Sequence, residues 1–116
     1  MVHNAVIFEA KNTLDGEITG KLTFNEIPVL IGGGMDYTHG IFTAPMDAVY
    51  TFTAQGYFRG GVEIKLNEQS IQRCEAYDLS MSCQVQRTLS QGDQIYVFIS
   101  SGTVIAPFVF SGRSEI

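Results

Sequence analysis

Few residues in this chain could act as an acid, a base or a nucleophile. The sequence holds two histidines, His3 near its start and His39 between Thr38 and Gly40. A serine hydrolase needs a nucleophile, a base and an orienting carboxylate. Only His39 is placed to serve as the base, in a segment that reads as a turn, and no Gly-x-Ser-x-Gly elbow accompanies it. Gly32-Gly33-Gly34 runs into Met35 and Asp36 instead of a lysine, so it is no phosphate cradle. Asp15 and Glu17 form a carboxylate pair, but in a turn, where acids are normally solvated. No catalytic residue and no required cofactor is therefore expected. A calcium site is the open option, because Asp36, Asp47, Asp78 and Asp93 all fall in loop-like segments. Ca²⁺ asks for roughly six to eight oxygens at one point, and no EF-hand spacing supplies them.

The two cysteines, Cys74 and Cys83, have eight residues between them. That spacing suits no zinc pair. If the intervening residues form a hairpin, the two thiols can face each other. Closing that loop would contribute about 2.7 kcal/mol in the chain-entropy picture. Two reduced thiols in a sheet are the alternative, and the bridge is the expectation.

Those residues must be positioned by a small scaffold. The chain has 116 residues, suited to one domain with a core over about 6–112. Hydrophobic residues make up 45% and charged residues only 16%, below the roughly 25% of an average domain. There is ample material for a core. Seven Lys and Arg against twelve Asp and Glu leave a formal charge of −5. Such a field repels phosphate backbones, which argues against nucleic acid as a partner. No apolar run approaches the roughly 18 residues of a membrane helix, so no membrane insertion is expected. Met1-Val2-His3-Asn4 lacks the basic end and apolar stretch of a secretory signal. The expectation is that either the protein is not secreted or this chain is a mature or recombinant fragment with an added Met.

The dominant sequence period is two. Val62, Ile64 and Leu66 alternate with Glu63, Lys65 and Asn67, as in a half-buried antiparallel strand. Tyr50, Phe52 and Ala54 alternate with Val49, Thr51 and Thr53. Ile95 to Ile99 and Phe108 to Phe110 are apolar on both faces, so each needs cover from a second sheet or another subunit. Asp15-Gly16, Gly32-Gly33-Gly34, His39-Gly40, Gly60-Gly61, Gly92-Asp93 and Ser101-Gly102 read as turns. Their spacing is that of a β-sandwich or barrel. No window is an amphipathic helix, and residues 68–84 read as strand, loop, strand.

The stretch from Phe24 to Phe52 resembles the signature of the globular head domain of the C1q and tumour-necrosis-factor superfamily. Phe24, Phe42, Tyr50 and Phe52 fall on that pattern in register. Leu30, Met35 and Ala48 stand where the family has Asn, an aromatic and Gly, and Tyr37 is near enough to replace the aromatic. Val6 to Ala10 resembles the first strand of the family. Leu66-Asn67-Glu68 is similar to its Leu-x-Asn-Gly hairpin, with Glu for Gly. Leu89 to Val97 resembles its Leu-x-x-Gly-Asp-x-Val segment, and Phe110-Ser111-Gly112 its final Phe-Ser-Gly. The likeness runs from about Val6 to Gly112 and marks a divergent member; the closing Arg113-Ser114-Glu115-Ile116 is more polar than the family's last strand.

The resemblance implies an all-β, ten-stranded jelly-roll sandwich assembled as a homotrimer. Phe8, Tyr50, Phe52, Tyr96, Phe98, Phe110 and Gly112 are then expected in the core or the trimer interface. It also implies a secreted, non-enzymatic recognition module of the lectin-like or innate-immune kind, binding a protein, glycan or microbial surface through loops. Tyr57, Arg59, Arg73 and Tyr77 are the loop residues best suited to hold a ligand, and Asp36, Asp78 and Asp93 those suited to Ca²⁺. The alternative is a structural trimerisation head of a fibre, matrix or capsule protein, with no ligand of its own.

Overall fold

The alternation of apolar residues is realised as strands throughout. The computed structural model describes residues 5–14, 16–17 and 19–115, without the side chains of residues 17, 76–79, 101 and 106. In chain order the strands are β1 (Ile7–Asn12), β2 (Gly16–Glu17), β3 (Gly20–Lys21), β4 (Glu26–Ile31), β5 (Met35–Asp36), β6 (Ile41–Thr43), β7 (Ala48–Leu66), β8 (Gln69–Leu89) and β9 (Gln94–Glu115). No helix occurs among the described residues, and none there could cross a membrane.

The last three strands are long, with 19, 21 and 22 residues. Each serves both layers of the sandwich. The first half of β7 pairs with the end of β9 and the end of β8; its second half pairs with the start of β9 and the start of β8. One layer is therefore β4, β1, the end of β9, the start of β7 and the end of β8. The other is β5, β6, the start of β9, the end of β7 and the start of β8, with β3 beside β9. Because these strands run on between layers, nine are found among the described residues where a jelly-roll count gives ten.

The crossing point corrects the sequence reading. Gly60-Gly61 and Ser101-Gly102 are not turns: Gly60 pairs with Gly102 and Gly61 with Ser101 in the middle of β7 and β9. The pattern of glycines that suggests a reversal instead marks a corner. Gly102 has φ +141°, and a Cβ there would run into the carbonyl oxygen of Arg59. Gly60, at φ +121°, is also in the region that L side chains rarely adopt. Residues 68–84 differ from expectation for the same reason. They begin on the second residue of the Asn67-Glu68 turn and continue as one strand that bends without a loop.

That bend brings Cys74 and Cys83 together from the two halves of β8. They form a disulfide with Cα atoms 6.0 Å apart. Their cross-strand partners, Val62 and Ala54, lie on opposite sides of the corner, so the bond staples the two layers along one edge. Gln72 adds to the closure by donating from Nε2 to the Gln84 carbonyl at 3.2 Å.

Between the layers lies an aromatic core. Phe8 of β1 stacks on Phe42 of β6 at 4.9 Å and meets Phe110 edge-on at 5.2 Å. Phe52 lies between Phe42 and Phe110, at 5.5 and 6.1 Å. Such pairs add about 0.5–1.5 kcal/mol each beyond simple burial. Tyr50 is fully buried and donates its hydroxyl to the Met46 carbonyl at 2.7 Å, so its polar end is satisfied. Burial pushes its pKa upward. Gly112 faces these rings; a Cβ there would press on Phe8 and Phe52. Phe8, Tyr50, Phe52, Phe110 and Gly112 thus belong to the interior of a single copy. Tyr96 and Phe98 instead face outward and half-exposed, while Ile95, Val97 and Ile99 fill the core. The Lys65 ammonium covers the Phe98 ring at 4.0 Å, giving part of the cover that a doubly apolar strand requires.

Two predictions follow from this architecture. Titration of the unfolded, unreduced protein should find no free thiol, whereas two thiols per chain would show the staple is not formed. The β7–β8 turn places Asn67 at φ 47° and Glu68 at φ 74°, a left-handed pair in which Glu is disfavoured. Glu68→Gly should raise stability by about 0.5–1 kcal/mol in urea denaturation. A loss of stability would mean that Glu68 holds a compensating contact.

Candidate functional site

The residues singled out for chemistry fall into three places. The first is the β5–β6 turn. Asp36 accepts a hydrogen bond from the Thr38 hydroxyl at 2.9 Å and pairs through Oδ2 with His39 Nδ1 at 2.7 Å. Its carboxyl is held below the usual range, first by Thr38 and then by His39. The side chains of His39 and Asp36 are 73% and 54% exposed. This is not a catalytic constellation. The Thr38 hydroxyl is spent on the carboxylate instead of resting on the free ring nitrogen, and water screens the whole set. The arrangement caps and tightens the turn, as Asp side chains commonly do.

The second place is the opposite group of loops. Asp93 accepts from Asn67 Nδ2 at 3.0 Å and from the Ser90 amide at 2.8 Å, which hold its carboxyl low. Asn67 in turn accepts from the Gln94 amide at 2.9 Å. Asp47 accepts from the Gln91 amide at 2.6 Å. Each of these acids fixes a loop. Among the described residues no group of three or more His, Cys, Asp or Glu is placed to hold a metal ion. The calcium expectation for Asp36 and Asp93 thus finds them in separate turns, and the Asp78 side chain lies outside the described residues, as do His3 and Asp15.

The third place is the corner, and it gathers the expected ligand residues. Tyr57 and Arg59 precede Gly60 on β7, and Arg73 lies beside Gly61 from the neighbouring β8. Tyr77 belongs to the same stretch of β8, its side chain outside the described residues. Tyr57 and Arg73 do not share one face. Tyr57 points outward from the first layer, lining an open groove of about 510 Å³ with Gln55, Ile105, Pro107 and Val109. Arg73 points outward from the second layer, where it pairs with Glu75 at 3.1 Å. The corner glycines that sequence reading took for a turn are the reason: the strand changes layer between the two residues.

Sequence reasoning missed the two outer faces, because register decides which side chains share them. On the second layer, Arg73, Glu63, Phe98 and Lys21 line up across four strands, beside Lys65 and Tyr96. That face mixes charges with two half-exposed aromatic rings. On the first layer, Ile31, Ile7, Arg113, Thr51 and Gln86 form one row, and Val29, Glu9, Ser111, Thr53 and Gln84 the next. An open groove of about 340 Å³ crosses both rows. Glu115 accepts from the Thr51 hydroxyl at 2.7 Å and from Arg113 Nε at 3.1 Å, two residues that line the groove, and those bonds hold its carboxyl low. The signal that could have found these rows is the period-two alternation itself, once the strands are paired.

No protein-family model matches the chain, and no curated protein matches it in sequence. Its likeness is to solved structures. The globular domain of the zebrafish complement 1qA protein superposes with a TM-score of 0.74 at 17% identity, covering 92% of this chain and 94% of that one. Murine APRIL at pH 5.0 superposes with a TM-score of 0.71 at 15% identity, covering 96% and 99%. The PRD1 vertex protein P5 superposes with a TM-score of 0.53 at 11% identity, covering 99% and 74%. At such identities the shared property is the path of the backbone, and it extends over nearly the whole chain. With its bent strands, aromatic core and two-layer order, the chain has the jelly-roll fold of the C1q and tumour-necrosis-factor type.

Proposed function

We propose that this chain is a non-enzymatic recognition module that works outside the cell as a homotrimer. It would bind a protein, a glycan or a microbial surface, in the lectin-like manner of an innate-immune head domain. The observation that carries this reading is the jelly roll shared with the complement 1qA globular domain over 92% of the chain. The use of the acids agrees with it: Asp36, Asp47 and Asp93 are committed to turn hydrogen bonds, which is scaffold work and not acid–base chemistry. The Cys74–Cys83 bridge suits an oxidising compartment.

Ligand contacts are proposed at the corner, through Tyr57, Arg59, Arg73 and Tyr77. A single corner offers a small, partly charged surface. Three copies would present it three times, and linked weak sites can gain about 10²–10⁴ in avidity. A structural head without a ligand is the second reading, and the likeness to the PRD1 vertex protein P5 favours it.

Light scattering should give three times the mass of one chain, and a monomer at micromolar concentration would contradict the assembly. A glycan array, read with and without Ca²⁺, separates the two readings further. Binding that Arg73→Ala weakens would support recognition at the corner. A silent array, followed by failure to retain any protein or microbial surface, would favour the structural head.

A further inference from the structure

The groove beside Tyr57 owes its shape to an irregularity in β9. Gln55 pairs with Val109 and Tyr57 with Ile105, so residues 106–108 lie opposite Gly56 alone. Such a bulge bends the strand and re-aims its side chains. Phe108 turns inward, is fully buried and packs against Phe58 at 5.9 Å. It lies so close over Gly56 that a Cβ there would press on its ring. Pro107 is left exposed on the outer surface, and with no N–H to donate it suits a bulge. Tyr57 and Ile105, 38% and 42% exposed, line the same recess. The recess of about 510 Å³ thus has an apolar end made of these three residues and a polar end made of Glu9, Gln55 and Ser111. None of those three polar side chains has a hydrogen-bond partner among the described residues.

We infer that this recess holds a sugar ring of an uncharged glycan, an inference that rests on the recognition reading proposed above. A pyranose has an apolar C–H face and a rim of hydroxyls, each both donor and acceptor. The Tyr57 ring, with Ile105 and Pro107 beside it, gives the apolar face a surface to stack on. At the other end the Glu9 carboxylate accepts, while Gln55 and Ser111 both donate and accept. Two other ligand chemistries fit less well. Glu9 is the one charged residue lining the recess, in a chain of net charge −5, which disfavours an anionic ligand. A peptide strand that adds to a sheet needs an open edge. Here the end of β9 lies between β1 and β7, and β7 lies between β9 and β8, so their main-chain groups are already paired. Recognition must then come from side chains. Thr53, Ser82 and Gln84, the next outward positions on β7 and β8, continue the neutral hydroxyls and amides for further sugar units.

Calorimetric titration with a panel of neutral hexose and N-acetylhexosamine oligosaccharides tests this. For a sugar that the wild type holds, Tyr57→Ala should weaken binding by about tenfold. Tyr57→Phe, which keeps the ring, should recover most of that loss. Gln55→Ala should weaken binding by about fivefold through the lost hydrogen bond. Ser70→Ala, on the outward side of the second layer, should bind as the wild type does. Thermal melting checks that each variant is folded. Affinity should be equal at low and high salt, because the ligand is uncharged, and a steep loss with salt would overturn the inference. Binding that Arg73→Ala abolishes and Tyr57→Ala leaves intact would overturn the recess while recognition at the corner stands. A silent panel, with a proline-rich peptide bound in a manner that Tyr57→Ala abolishes, would overturn the glycan and assign the recess to a peptide. A wild type that binds neither these probes nor any protein or microbial surface would remove the recognition reading itself.

Discussion

Three long strands must pass from one layer of the sandwich to the other, and they do so at a corner built on glycine. There Gly60 lies against Gly102, and Gly61 against Ser101, with no room for a side chain at Gly102 beneath the Arg59 carbonyl. The crossing sets the rest. It folds the β7–β8 ribbon so that Cys74 and Cys83 meet, and it brings β6 over β1 so that Phe42 stacks on Phe8. It also separates Tyr57 from Arg73, which look out from different layers. A larger residue at either glycine would act on core, staple and surface together.

Much of this was legible in the sequence. Alternation in Tyr50-x-Phe52-x-Ala54 and Val62-x-Ile64-x-Leu66 gives the correct inward faces, since burial on one side of a strand leaves a period of two. The resemblance of Phe24, Phe42, Tyr50, Phe52 and Phe110 to a known signature is explained by their packing, as all five lie in the aromatic core. The corner was not legible. Gly-Gly and Ser-Gly carry the same local signal whether the chain reverses or merely bends, and only cross-strand partners tell the two apart. The outer faces were hidden for a related reason. Thr53 and Gln84 become neighbours through the register of β7 on β8, a property of pairing that neither segment holds alone. Of the candidate calcium acids, Asp47 and Asp93 were legible as loop residues, while Asp36 ends β5 and Asp78 lies within β8; the hydrogen bonds to Thr38, Ser90 and Asn67 were not legible.

The two faces then divide the surface by electrostatics. A low charged fraction leaves few charges to place, and register puts most of the outward ones on the second layer and on the β1 side of the first. What remains on β7 and β8 is a set of neutral hydroxyls and amides. A surface of that kind can be desolvated at modest cost if its donors and acceptors are met by partners. The exposed apolar residues Ile7 and Ile31 flank it at one side and Tyr57 and Ile105 at one end, which adds a hydrophobic margin.

The central claim is that the glycine corner carries the long strands between the two layers. Urea denaturation of Gly102→Ala tests it most directly, because a Cβ there would run into the Arg59 carbonyl oxygen at φ +141°. The substitution should cost at least about 1 kcal/mol. An unchanged unfolding midpoint would contradict the account.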